Sequence, residues 1–186
     1  CLRETIFEID DQPFFYNTFK DYESKLINLF SIDQKNINLI NQKYPILFQN
    51  NITVSLHIRR GDFVVISELY NPEYILKMSY YHNALQFIKQ NLKDNYKLLI
   101  FSDDIQWCRK NFKQKNIIFI EDNYDYIDLW MMSMCNHNII SSSSFSWWGA
   151  FLNQNSNKIV IAPEKSIYRE KKDCLLKIKK LYPNSW

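Results

Sequence analysis

The chain has 186 residues, 46% of them hydrophobic, so it can bury one substantial core but is too short for two full-sized domains. Its formal net charge of +3 is small and its basic residues are mostly dispersed, which argues against a nucleic acid partner. The four cysteines are far apart and form no C-x-x-C pair, which argues against a disulfide framework or a zinc site and favours a reducing compartment.

The first fifty residues predict a helical segment. Apolar residues recur at helical spacing over Phe19–Phe30, and a second helical stretch covers Ile37–Tyr44 and stops near a proline. The pattern changes at about residue 51. We therefore predict an N-terminal helical segment over residues 1–50 and one domain over residues 51–186.

Residues 51–186 alternate between β-rich and helical patterns. Strands are predicted at Ile52–Ile58, Leu98–Phe101, Ile117–Ile120, Asn138–Ser141 and Lys158–Ala162. Helices are predicted between them, over about Tyr81–Leu92, Ile105–Phe112, Ile127–Met134 and Phe145–Asn153. Continuous apolar strands separated by amphipathic helices indicate an α/β fold with a Rossmann-like parallel sheet. In such sheets ligands bind beyond the carboxyl ends of the strands, so the residues after each strand are the site candidates.

Two arginines follow the first predicted strand. Arg59 and Arg60 suit a diphosphate, because each guanidinium is a planar fork of donors that stays charged. Gly61 is expected to permit a tight turn that brings the backbone and the arginines together. The alternative is that the arginines pair with acids such as Asp103 or Asp104 and only hold the edge of the sheet. The residues alone leave both interpretations open.

The second predicted strand leads into Ser102, Asp103 and Asp104. Asp103 is a candidate to accept hydrogen bonds from a nucleotide base or a ribose hydroxyl, while Ser102 or Asp104 caps the following helix. A plain helix cap is an equally good interpretation. The two carboxylates lack D-x-D spacing and a neighbouring histidine, so no metal site is predicted.

A serine run follows the strand at Asn138–Ser141. The hydroxyls of Ser144 and Ser146 and the backbone N–H groups around Phe145 open a predicted helix, where the helix dipole attracts anions. A flexible linker is the alternative, but the run lies between an apolar strand and a tryptophan pair that we expect in the core. We therefore predict an anion site here.

Three aspartates precede or open the helix before this strand. Asp122, Asp125 and Asp128 are expected to cap and charge the helix start, with a nucleotide contact by Asp128 as an alternative. The three histidines show no ligand spacing. His57 alone lies beside the predicted phosphate site.

These segments together resemble the α-1,2-fucosyltransferase family, also known as glycosyltransferase family 11. HIRRGDF at His57–Phe63 matches the family signature H-x-R-R-x-D, and FSDD at Phe101–Asp104 matches its acidic turn after a strand. DLWMMSMCNHNIISSSSFSWWGAFL at Asp128–Leu152, followed by KIVIAP at Lys158–Pro163, matches its serine-tryptophan segment. The resemblance covers about Asn51–Trp186.

The resemblance implies a GT-B-type enzyme whose Rossmann-like half binds the nucleotide. It implies transfer of L-fucose from GDP-fucose to a galactose-type hydroxyl of a glycan acceptor in α-1,2 linkage, with inversion and without a metal or another cofactor. Arg59 then contacts the β-phosphate and Arg60 supports it. The family's glycine-rich G-x-G-N-Q-like stretch has no counterpart here, so residues 1–50 are interpreted as a remnant of an acceptor-side domain or a link to one.

The implied reaction assigns further roles. Negative charge grows on the departing GDP, and without a metal it must be met by Arg59, Arg60, Ser144 and Ser146. Inversion requires a base near the acceptor hydroxyl, for which Asp62 is the first candidate and His57 the second. Two alternatives stay open: a transferase of another linkage or another GDP-sugar, and a truncated nucleotide-binding module without catalytic activity.

The same sequence suggests a location. No apolar run approaches the ~20 residues needed to cross a bilayer, and the N-terminus does not resemble a signal peptide. We therefore predict a cytoplasmic location, with peripheral association with the inner face of a membrane as an alternative.

Overall fold

The structure is a computed structural model, and it describes residues 20–70, 72, 75–163, 182–183 and 186. The described strands are β1 Thr53–Ile58, β2 Lys97–Ser102, β3 Ile117–Phe119, β4 His137–Ile139 and β5 Val160–Ile161. They form one five-stranded sheet in the order β3-β2-β1-β4-β5, and every pairing is parallel. The predicted α/β fold with a Rossmann-like parallel sheet is confirmed.

Helices flank and connect these strands. They are α1 Glu23–Leu29, α2 Gln34–Lys43, α3 Gly61–Leu69, α4 Met78–Leu92, α5 Ile105–Asn111, α6 Asp125–Met134 and α7 Ser144–Leu152, with 3₁₀ turns at Lys20–Tyr22 and Pro45–Leu47. The carboxylate of Asp33 caps α2 by accepting the N–H of Asn36 at 2.7 Å. Among the described residues, no helix has the length and apolar character needed to cross a membrane.

The central strand β1 shows how the sequence builds the core. All six of its residues are buried, and its side chains alternate between the two faces of the sheet. Val54, Leu56 and Ile58 pack with residues of α4 and β2 in one apolar cluster. Because parallel strands of this kind are covered by helices on both sides, the second face of β1 is buried as well.

That second face is polar and joins β1 to the region around β4. Thr53 Oγ1 donates to Asn136 at 3.0 Å, and Ser55 accepts a 2.7 Å hydrogen bond from its register partner Asn138. Further along, His57 Nδ1 lies 2.8 Å from Ser141 Oγ. These bonds satisfy buried polar groups and fix how β1 and β4 align, so the carboxyl ends of the two strands meet.

The structure differs from the sequence predictions at Gly61 and at the end of β4, and it also shortens β5 to Val160–Ile161. Gly61 was expected in a tight turn, but it begins α3, and neither described glycine has a positive φ. The sequence GDFVVISEL lacks the spacing of an amphipathic helix, and Val65 and Leu69 are exposed, so helical periodicity gave no signal for α3. Strand β4 also ends at Ile139, before the predicted end at Ser141.

The N-terminal segment packs on the same sheet. Ile40 of α2 is buried with Leu99, Phe101 and Met131. Phe19, the start of the first predicted helix, lies outside the described residues, and α1 itself begins at Glu23. The division of the chain at residue 50 stays a prediction.

Candidate active site

A cleft of about 490 Å³ opens where the carboxyl ends of β1 and β4 meet. β1 pairs with β2 on one side and with β4 on the other, so the strand order reverses at this point. Ligand crevices in open α/β sheets occur at such switch points. The cleft is bordered by the ends of β1 and β2, the segment Ser142–Phe145 and the first turn of α6.

Arg59 lines the cleft and is held by two carboxylates. Its Nη1 lies 2.6 Å from Asp103 Oδ2, and its Nη2 lies 2.5 Å from Asp62 Oδ1. The guanidinium also lies over the ring of Phe63, with its carbon 5.2 Å from the ring centroid. These ion pairs match the alternative role weighed for the arginines. They use two of the five N–H groups, so the side chain keeps donors for a ligand.

Arg60 is directed away from the cleft. Its Nε donates to Asp104 at 3.1 Å, and its guanidinium stacks 4.0 Å from the ring centroid of Trp107 on α5. It is not among the residues that border the cleft. Contrary to the sequence prediction, the structure therefore does not bring the two guanidiniums to one ligand, because neighbouring residues at a strand end face opposite sides.

Asp103 connects the two arginines through the space left by Gly61. Its Oδ1 accepts the backbone N–H of Arg60 at 2.8 Å, while its Oδ2 pairs with Arg59. A Cβ atom on Gly61 would lie 2.5 Å from Asp103 Oδ2. The glycine is therefore needed for close approach and not for an unusual backbone angle.

Ser102, the last residue of β2, and Asp104 stabilise the start of α5. Asp104 caps α5 by accepting the N–H of Trp107 at 3.1 Å, and Ser102 Oγ accepts the N–H of Asp104 at 3.0 Å. Ser102 also lines the cleft together with Asp103. Within the described residues, no group of three or more acidic, histidine or cysteine side chains is arranged to hold a metal ion.

The serine run divides into lining and supporting residues. Ser142, Ser143, Ser144 and Phe145 line the cleft. Ser143 precedes the first residue of α7, and within the described structure its side chain makes no capping hydrogen bond. Because the first amides of a helix have no partner inside it, the start of α7 offers N–H donors and the positive end of its dipole.

Ser146 was predicted to bind the donor, but it is completely buried and does not border the cleft. Its Oγ accepts the N–H of Ser141 at 3.2 Å and donates to the carbonyl of Ser143 at 3.3 Å. Ser146 therefore shapes the loop before α7, and a direct ligand contact would require this loop to rearrange.

His57 lies at the base of the cleft and is 5% exposed. Burial, with a contribution from the charge of Arg59, lowers the pKa of His57 to about 3. The imidazole is therefore neutral, and its contacts are the bond to Ser141 and a ring contact with Phe145 at 5.6 Å. A group with so low a pKa is a poor general base near neutral pH.

Asp128, in the first turn of α6, borders the same cleft. Burial raises the pKa of its carboxyl to about 6, although a hydrogen bond from Asn123 and the charge of Lys43 oppose this shift. Asn123 Nδ2 donates to Asp128 Oδ1 at 2.9 Å, and both residues line the cleft with Asp125. From the sequence, a ligand contact by Asp128 is only an alternative and Asn123 is not a site candidate, although Asn123 follows the end of β3.

The fold and the cleft define an α/β protein whose parallel sheet carries, at its switch point, a cleft bordered by Arg59 and the start of α7. The chain belongs to glycosyl transferase family 11, because the sequence model of that family matches residues 9–186. The resemblance found in the sequence is thereby confirmed.

Curated relatives support this assignment. The chain is 34% identical over 151 residues to the O-antigen biosynthesis glycosyltransferase WbnK of Escherichia coli, covering 77% of this chain and 50% of that protein. It is 35% identical over 157 residues to an alpha-1,2-colitosyltransferase of Escherichia coli, covering 82% and 53%. A galactoside alpha-(1,2)-fucosyltransferase 1 of Bos taurus is 26% identical over 104 residues, covering 53% and 29%. The chain spans about half the length of the first two relatives.

Among solved structures, the alpha-1,6-fucosyltransferase NodZ soaked with GDP-fucose matches with a TM-score of 0.43 and 12% sequence identity. The match covers 77% of this chain and 61% of NodZ.

Proposed function

We propose that this chain forms the donor-binding part of a glycosyltransferase that moves L-fucose from GDP-fucose to a galactose-type hydroxyl of a glycan, in α-1,2 linkage. One observation carries the proposal: Arg59 and the N-terminus of α7 border the same cleft. A guanidinium and a helix start placed together form a site for the diphosphate of a nucleotide sugar.

The arrangement suits the charge that develops during transfer. As the bond from sugar C1 to the β-phosphate breaks, negative charge grows on the departing GDP. Arg59 stabilises this charge from the end of β1, and the backbone amides of Ser144 and Phe145 stabilise it from the start of α7. A preorganised donor of this kind contributes roughly 3 kcal/mol to transition-state stabilisation. In this proposal the transfer therefore proceeds without a metal ion.

Asp128 is proposed to recognise the nucleotide base. A carboxylate accepts two parallel hydrogen bonds, and guanine presents adjacent N1–H and N2–H donors on one edge. Asp128 Oδ1 already accepts from Asn123, which fixes the plane of the carboxylate in the cleft. Adenine lacks this pair of donors, so the contact would favour GDP over ADP.

The proposed inverting base is Asp62. Its side chain is 58% exposed and reaches solvent beside Arg59, where an acceptor hydroxyl could approach. The other candidate, His57, is buried and has its pKa lowered to about 3, so it accepts a proton poorly. We assign His57 the role of joining the ends of β1 and β4 through Ser141.

A second candidate donor comes from a relative. The colitosyltransferase is 35% identical over 82% of this chain, so transfer of colitose is the main alternative to transfer of fucose. Because the chain spans about half of such relatives, a nucleotide-binding part that does not catalyse transfer alone is the other alternative.

Isothermal titration of the 186-residue chain with GDP, ADP, GDP-fucose and GDP-mannose tests the proposal. Selective binding of GDP and GDP-fucose is expected, and a transfer assay with a galactoside acceptor then distinguishes a binding part from a complete enzyme. Equal binding of ADP and GDP, or the absence of binding by the folded chain, contradicts the proposal.

A further inference from the structure

The turn between β3 and α6 is held by the end of α2, which lies outside the domain predicted over residues 51–186. Lys43, the last residue of α2, donates from Nζ to the carbonyls of Glu121 and Asp122 at 3.0 and 2.8 Å and to Asn123 Oδ1 at 2.7 Å. Tyr44 donates to the carbonyl of Glu121 at 3.0 Å as well. Two residues that follow each other in sequence thus hold the whole turn.

The turn has a backbone that needs such support. Asp122 has a φ of 58°, in the left-handed region that residues other than glycine rarely adopt. Its carbonyl is one of the three acceptors of Lys43. The lysine therefore stabilises an unfavourable conformation immediately before Asn123, which borders the cleft.

The contact also decides which way the amide of Asn123 faces. An ammonium group can only donate, so Asn123 must direct its oxygen toward Lys43. The amide nitrogen then faces the other way and donates to Asp128 Oδ1 at 2.9 Å and to Tyr44 Oη at 3.2 Å. If the amide were reversed, its oxygen would face the carboxylate of Asp128 and both contacts would be lost.

We propose that Lys43 is a positioning residue for the cleft: by holding the oxygen of Asn123, it turns the amide toward Asp128 and orients the carboxylate that faces the nucleotide. This inference rests on the proposed function, because it concerns the same cleft. It extends the proposed donor site to α2, which lies in the segment 1–50 that was predicted to be separate from the donor domain.

The charges around Asp128 give this role a distinct signature. Lys43 on α2 favours the ionised carboxylate, whereas Asp125 on the same helix opposes it. The other ionisable groups of the cleft lie on its remaining walls: His57, Arg59 and Asp103. Loss of Lys43 therefore raises the pKa of Asp128. If GDP binding needs the ionised carboxylate, then on lowering the pH the variant loses affinity at a higher pH than the unmodified chain does.

The test measures GDP binding by isothermal titration between pH 5 and pH 8, with the full chain and its variants. Lys43→Met should weaken GDP binding roughly fivefold at pH 7, the scale of one lost oriented hydrogen bond, and should move the pH midpoint of binding upward. Lys43→Arg keeps a donor and a charge and should restore most of the affinity. Lys35→Met, on the exposed side of the same helix, is the matched control and should bind as the unmodified chain does.

A double-mutant cycle separates orientation from general stability. In Asn123→Leu, no amide remains to be oriented, so adding Lys43→Met should weaken binding much less than it does alone. Unchanged affinity and pH midpoint in a folded Lys43→Met variant overturn the inference, as do fully additive effects in the cycle. If the unmodified chain folds but binds no GDP, the proposed function itself fails, and the inference fails with it.

Discussion

Asp103 and Arg59 form an ion pair across the carboxyl ends of β2 and β1, with 2.6 Å between Oδ2 and Nη1. The carboxylate also accepts the backbone N–H of Arg60 at 2.8 Å, so the side chain that follows β2 is fixed against the backbone that follows β1 and in turn fixes the guanidinium of Arg59. This preorganises the cation for an anionic ligand, because little side-chain freedom remains to be lost on binding.

Gly61→Ala should break this arrangement. The new methyl group would lie 2.5 Å from Asp103 Oδ2, so the carboxylate must move away from Arg59 and from the start of α3. We expect a loss of stability of about 1–3 kcal/mol from the steric conflict and a clear loss of GDP affinity. Chemical denaturation and calorimetric titration measure the two effects.

Gly149→Ala provides the matched control. Its methyl group would meet Met132 Cβ at 2.9 Å, where α7 packs on α6 away from the cleft. It should reduce stability in the same way but leave the GDP affinity of the folded protein near normal. Equal affinity losses in both variants would show that affinity only follows stability.

The two adjacent arginines should behave differently when each is replaced by lysine. Arg59→Lys removes the fork that borders the cleft, and donor binding or turnover should fall by about a hundredfold, equivalent to roughly 3 kcal/mol. Arg60→Lys should mainly reduce stability, because Arg60 pairs with Asp104 and stacks on Trp107. Titration with GDP-fucose, paired with thermal unfolding, distinguishes the two outcomes. Similar affinity losses in both variants would favour the paired-arginine site that the sequence alone suggested.

The contrast between Arg59 and Arg60 shows which parts of the site can be predicted from the sequence. Strand ends are visible in the apolar pattern, and in a parallel sheet they meet at one edge, so the region of the site follows from local sequence. The period of two along β1 also places His57 and Arg59 on one face and Ile58 and Arg60 on the other. That signal was present in the sequence, and it explains why one guanidinium enters the cleft and the other does not.

Other features depend on contacts distant in sequence. Lys43 and Asn123 are 80 positions apart, and neither belongs to a recognisable motif. Helix α3 begins at a glycine and has apolar residues on its exposed side, so its period was not visible. The burial that raises the pKa of Asp128 likewise depends on how α2 and α6 pack, which local patterns do not specify.

Asp128→Asn should stabilise the protein while weakening donor binding. The pKa of Asp128 is raised from its usual value near 4 to about 6, so the folded state binds the proton more tightly than the unfolded state does. Stability therefore falls as pH rises from about 4 to about 6 and then stays lower. The neutral amide avoids this cost, and at pH 7 it should add roughly 1–2 kcal/mol after allowance for partial exposure.

Chemical denaturation at pH 7 and pH 4 measures this difference. The gain in stability should largely disappear at pH 4, where Asp128 in the folded protein is already protonated. GDP affinity at pH 7 should fall in the same variant, since the amide presents a donor as well as an acceptor to the base. A variant that is no more stable at pH 7 than at pH 4, relative to the unmodified chain, contradicts the burial of a charged carboxylate at this position.

His57→Gln should remove part of the acid sensitivity of the fold. Burial lowers the pKa of His57 from 6.5 to about 3, so below pH 6.5 the unfolded chain takes up a proton that the folded protein does not. The stability associated with the neutral imidazole is therefore complete above pH 6.5 and declines as pH falls toward 3. Glutamine does not titrate, so the variant should have a flatter stability curve between pH 6 and pH 4, measured by urea denaturation. His82→Gln, at an exposed position on α4, is the control and should leave the stability curve unchanged. If the curve of His57→Gln is as steep as that of the unmodified chain, His57 is not held neutral in the folded protein.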